Sequence, residues 1–260
     1  MRADRYGQQS RGPIGTIRGV VAAGLRWLMA YQRPFRVEVA RYGLVVVAPA
    51  SIAYILATLV VSALWLDPVV GHRAVTACCA WRAATVTHGY GALIPLFGSA
   101  FLVRRPVEAV WTVAATWLVL GPLEAAVGSR RLLLIGALGH AVPTVVIDLC
   151  WLAANRADAS LAGIDVGTSA VVVTAAAALA VSTRSLPVSV TLAVGIAVDI
   201  GAAPDLATAE HLVAVVIGIC AALVLLPDRW PPWRPEPVAR SATPSRSQAS
   251  AAPHRYPPHA

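Results

Sequence analysis

The sequence predicts an all-α, polytopic membrane protein, a bundle of six transmembrane helices. Two observations carry that prediction. Of 260 residues, 57% are apolar and only 13% are charged, about half the charged share of a soluble domain. The apolar residues also fall into successive long runs, separated by short turns rich in Pro, Gly, Asp and Arg. A bundle of this size buries its inner helices without a second domain.

Residues 1–42 form a basic N-terminal segment with eight Arg. Ile14, Ile17, Val21, Leu25 and Leu28 recur at helical spacing, which predicts an amphipathic helix over 14–28 lying on the cytoplasmic membrane surface. A disordered tail with chance periodicity is the alternative. The apolar stretch from Val20 to Leu25 is too short for the core of a cleavable signal peptide, and none is expected. The membrane domain runs from 43 to 226. Its first span, Gly43 to Leu66, contains no charge and is long enough to cross a hydrocarbon core of ~30 Å. The connection over 67–105 is long. Its second half, from Val86 to Val103, is apolar but broken by His88, Gly89, Gly91, Pro95 and Gly98, so re-entrant or interfacial structure is expected there.

The second span is Pro106 to Leu123, closed by Glu124, with a tight turn at Gly128-Ser129-Arg130-Arg131. The third, Leu132 to Ala153, carries His140, Pro143 and Asp148. A polar loop leads to the fourth, Val166 to Thr183, whose many alanines suit the middle of a bundle. The fifth is Leu186 to Ala203, with Asp199 inside, and the sixth is Thr208 to Leu226. The tail, 227–260, is rich in Pro and Arg and cannot bury enough apolar surface to order itself. Six spans place both ends on one side. Sixteen of the 21 Arg fall on the termini and the turns of that side, and there is no Lys. The positive-inside rule then predicts a multi-pass protein of the cytoplasmic membrane with both termini cytoplasmic. The net charge of +8 lies beside apolar runs, which favours anionic lipid headgroups over nucleic acid as the partner.

Two short stretches carry the chemistry. Gly167-Thr168-Ser169-Ala170 opens the fourth span, and Glu210-His211-Leu212 opens the sixth. Both spans run in the same direction, so Ser169 and His211, each the fourth residue of its span, lie at similar depth. A serine hydroxyl becomes a useful nucleophile when a base within hydrogen-bond reach takes its proton, and imidazole suits that task. From His211, helical spacing leads to Ala214, Gly218 and Ala222, a small-residue seam that favours close contact between helices. The Ser169 amide, near a helix N-terminus, is free to donate to an oxyanion, and Gly167 and Gly163 let a substrate backbone approach. The four Cys (Cys78, Cys79, Cys150 and Cys220) show no metal-ligand spacing, so no metal or cofactor is expected. Cys78 and Cys79 are adjacent, and packing or a vicinal disulfide fits them.

These stretches resemble the rhomboid family of intramembrane serine proteases, whose six-helix fold has Gly-x-Ser-Gly opening the fourth helix and a catalytic His opening the sixth. Gly121-x-x-Glu124-x-x-x-Gly128-Ser129 is similar to the family's Glu-x-x-x-Gly-Ser signature. Phe97-Gly98-Ser99-Ala100-Phe101-Leu102 is similar to the segment entering the second helix. The resemblance covers roughly residues 43–226 and is closest in character to the divergent actinobacterial rhomboid-like proteins. It implies a rhomboid-like bundle and an endopeptidase that cleaves transmembrane proteins, with Ser169 as nucleophile and His211 as base. The chain departs from the pattern in its second span. The family's His-x-x-x-Asn aligns with Glu108-x-x-x-Thr112, and the usual further His aligns with Val103. Oxyanion or motif support then falls to Gly167, Thr168 and Thr112, to His88, or to water. Two other readings stand beside the protease: a rhomboid-like pseudoprotease that binds a membrane client without cutting it, and a small transporter using His140, Asp148 and Asp199.

Overall fold

A computed structural model describes residues 13–67, 71, 73, 93–103, 105–154, 167–202 and 206–225. Among these residues the chain is helical throughout its regular structure. The elements are α1 (Pro13–Tyr42), α2 (Leu44–Val47), α3 (Pro49–Trp65), α4 (Leu93–Ser99), α5 (Pro106–Val127), α6 (Ser129–Ala153), α7 (Thr168–Thr183), α8 (Leu186–Ala202) and α9 (Leu206–Leu225). Among the described residues, three stretches are long and apolar enough to cross a membrane: Pro106–Val127, Ser129–Cys150 and Leu206–Leu225. The apolar helices α3, α7 and α8 are shorter. The cysteine pair 78–79, His88, Gly163 and the tail over 227–260 lie outside the described residues.

The boundaries differ from the sequence expectation in ways with physical causes. The first span is not one helix. Ala48 leaves helical geometry at φ −141°, and Pro49 opens a new helix as its first residue. Glu124 does not end the second span, which continues to Val127. The helix tolerates Glu124 because its carboxylate is fully engaged. It accepts hydrogen bonds from the Ala50 amide (2.8 Å), the Ser51 amide (2.7 Å), Ser51 Oγ (2.7 Å) and Ser129 Oγ (2.6 Å). The first two amides belong to the opening turn of α3, which has no carbonyl one turn back to receive them. Glu124 therefore caps α3 from a distance and holds the start of α6 beside it. The turn between α5 and α6 is Gly128 alone, at φ +83°, a left-handed conformation that strains any residue with a Cβ. Glu124→Ala is expected to cost about 3 kcal/mol by leaving these donors unpaired, and Glu124→Gln about half as much. Thermal melts in detergent read both.

The centre of the structure is α7, packed between α6 and α9. Its Ala175, Ala177 and Ala178 are buried, as are Ala214, Ala221 and Ala222 of α9. At Gly218 the two helices are in close contact. A Cβ there would overlap the Thr174 carbonyl and come within 2.7 Å of the Ala177 methyl. Thr174 Oγ1 reaches carbonyls on both flanking helices, Ala214 at 3.1 Å and Gly139 at 3.3 Å. Small side chains permit the approach and one hydroxyl bridges it, as expected where apolar surroundings supply little drive for association.

The N-terminal helix is longer than its apolar periodicity suggested, one helix from Pro13 to Tyr42. Gln32 and Phe35 are buried against α5. Gln32 Nε2 donates to the Leu118 carbonyl at 3.0 Å, inside a π-helical stretch of α5 over Thr116–Leu120. One turn on, Gly121 leaves room for the Phe35 ring, which also meets Trp117 edge-on. The C-terminal half of α1 thus docks on the bundle through specific contacts as well as apolar ones.

Candidate active site

Ser169 is the second residue of α7, and its side chain is exposed. The residues before it are pinned. The Gly167 amide donates to the Ser99 carbonyl at 3.1 Å, and Gly167 lies against the His140 imidazole with no room for a Cβ. His140 is itself anchored: its Nε2 lies 2.6 Å from the Leu96 carbonyl and 3.0 Å from Ser99 Oγ. A carbonyl only accepts, so Nε2 carries the proton in this arrangement, and His140 serves to hold α4. This explains the Gly167 position: it is where the chain turns into α7 over a buried ring.

His211 lies in the second turn of α9. Its Nε2 is 2.8 Å from Ser169 Oγ, and its Nδ1 is 2.7 Å from Asp199 Oδ2 on α8. A carboxylate accepts, so in the neutral ring Nδ1 keeps its proton toward Asp199. The Nε2 lone pair is then directed at the Ser169 hydroxyl. The imidazole is mostly enclosed, at 15% exposure, and Asp199 is at 37%. Thr168, Ser169 and Ala170 form the first turn of α7, where backbone amides point out of the helix N-terminus beside the hydroxyl-bearing residue. Such a group of atoms can transfer an acyl group: a hydroxyl, a base to take its proton, and backbone donors beside them.

No family model matches the chain, and neither a curated protein nor a solved structure matches it.

The other sequence candidates are distributed as follows. Thr168 is buried in the first turn of α7. Thr112 is partly exposed on α5, and among the described residues no hydrogen bond joins it to Ser169 or His211. Glu108 pairs with Arg105, 3.5 Å distant at the N-cap of α5, so its charge is matched locally. Glu210, next to His211 in sequence, is buried, while His211 takes Asp199 as its carboxylate. Asp199 is the site residue that sequence reasoning did not connect. A signal was present: Asp199 is three residues before the end of α8 and His211 five residues after the start of α9. Across a short turn, those positions lie at about the same level on antiparallel neighbours.

An apolar cleft of about 430 Å³ reaches Asp199 and His211. Trp27 and Tyr31 of α1, Leu118 of α5, Val172 of α7 and Ile196 of α8 help to line it, and Asp199 and His211 lie among its walls. An extended or helical apolar segment fits the chemistry of that surface.

Proposed function

We propose that the protein is a rhomboid-like intramembrane serine endopeptidase of the cytoplasmic membrane, with six membrane-embedded helices and both termini cytoplasmic. The observation that carries this reading is the 2.8 Å contact between Ser169 Oγ and His211 Nε2 beside an apolar cleft. In the reaction, His211 takes the Ser169 proton as the hydroxyl attacks a peptide carbonyl of a transmembrane substrate. Amides opening α7 receive the oxyanion. The imidazolium then protonates the leaving amine, and a water activated by His211 releases the acyl group. The Arg-rich face of α1 meets anionic headgroups in this arrangement.

Two observations support the placement of the reaction at membrane depth. Ser169 and His211 are both near the starts of apolar helices, and the cleft beside them is walled by apolar side chains. A non-cleaving relative that only binds membrane segments is favoured by one feature, the lack of a side-chain oxyanion donor joined to the pair among the described residues. The transporter reading is weaker, since Asp199 and His140 are engaged in separate hydrogen bonds.

Co-reconstitution with a single-helix reporter tests the proposal. Wild type is expected to release a fragment and Ser169→Ala none. Crosslinking of the intact reporter to both proteins, with no fragment from either, selects the binding role.

A further inference from the structure

The helix that carries Asp199 is little enclosed for an apolar helix of 17 residues. Of the residues in α8, only Val188 is buried, while Leu186, Val190, Val194 and Val198 are exposed. It is bordered by a cleft on each side, the one of about 430 Å³ toward α1 and α5 and another of about 630 Å³ toward α9. Among the described residues, the Asp199–His211 contact is the side-chain hydrogen bond joining α8 to the other helices. By contrast α7 and α9, which carry Ser169 and His211, are locked together at Gly218 and Thr174.

We infer that Asp199 is a positioning residue for His211, and that the peripheral helix α8 delivers it only when packed against α9. This rests on the serine hydrolase reading above. The dyad is held by the rigid pair of helices, and the group that orients its base is held by the loosely packed one. A carboxylate on Nδ1–H fixes the ring tautomer and orientation, which leaves Nε2 free to accept the serine proton, and it stabilises the imidazolium that follows. An α8 that swings outward removes the carboxylate and leaves Ser169 and His211 in place. Proton transfer is thereby tied to closure of the cleft.

The test uses the full chain in detergent or nanodiscs with a fluorophosphonate probe. Asp199→Asn is expected to slow labelling of Ser169 by about 100-fold or more, and Asp199→Glu to recover part of the rate. In protein with ¹⁵N-labelled histidine, wild-type His211 is expected to show a downfield Nδ1–H resonance that Asp199→Asn loses. Hydrogen exchange over 186–202 is expected to rise in Asp199→Asn, with 168–183 and 206–225 unchanged. Labelling and a His211 resonance both unaltered by Asp199→Asn would overturn the positioning role. Unaltered exchange over 186–202 would overturn the coupling to α8. A wild type that never labels refutes the hydrolase reading instead, and the His211 resonance still decides whether Asp199 orients the ring. Should Asp199→Asn not fold, the wild-type resonance and the Asp199→Glu rate decide.

Discussion

Gly218→Val is expected to lose the folded protein, or to leave it melting far below wild type. The site has no space to give. A single Cβ already overlaps the Thr174 carbonyl and approaches the Ala177 methyl to 2.7 Å, and valine adds two more methyl groups. One of these obstacles is backbone, so no rotamer change relieves the overlap and α7 must move away from α9. Overpacking in a core costs about 1–3 kcal/mol where side chains can adjust, and this position lies at or above the upper end of that range. The same displacement breaks the Thr174 bridge to Ala214 and pulls Ser169 from His211. Gly218→Ala is the milder probe. It is expected to fold, with a lower melting temperature. Because misplacement by about 1 Å can cost ~100-fold in rate, its activity is expected to fall far more than its stability. Melting curves alongside labelling rates separate the two effects.

His211→Ala is expected to reduce acylation of Ser169 by at least ~1,000-fold with little loss of stability. The hydroxyl loses the acceptor at 2.8 Å and has no other base among the described residues bonded to it. Stability changes little because both partners of the ring lie within reach of solvent: Ser169 is exposed and Asp199 is 37% exposed. A variant whose melting temperature matches wild type and whose labelling is lost assigns the effect to chemistry. Equal labelling of His211→Ala and wild type contradicts the role of the base.

Much of the helical layout was legible in the sequence because apolar runs and their punctuation are local signals. Pro187, Arg184 and Pro204-Asp205 mark the ends of α7 and α8 without reference to the rest of the chain. One misjudged boundary came from long-range compensation. Glu124 looks like a helix stop until its carboxylate is seen capping α3, more than 70 residues earlier in the chain. The break before Pro49 hid inside an uncharged run because proline at the first turn of a helix leaves no mark in hydropathy. Gln32 and Phe35 gave no hint of docking on α5, since their partners are a carbonyl and a glycine, neither of which a side-chain pattern records.

The site was legible in part for a related reason. Ser169 and His211 announce themselves by depth and by small neighbours, both readable along the chain. Asp199 reads on its own as an isolated carboxylate in an apolar helix, and its meaning depends on α8 lying beside α9. Glu210 was the nearer carboxylate in sequence and the wrong one in space: it is buried, while His211 takes the carboxylate on α8. Adjacent residues on a helix diverge by about 100°, so Glu210 points away from the neighbours of His211.

Peptide mapping of the fluorophosphonate adduct on the folded, full-length protein tests the central claim most directly. The account predicts one modified residue, Ser169, in wild type, and no modification there in His211→Ala. A folded wild type that stays unmodified at Ser169, or an adduct at Ser169 that forms equally well without His211, would contradict it.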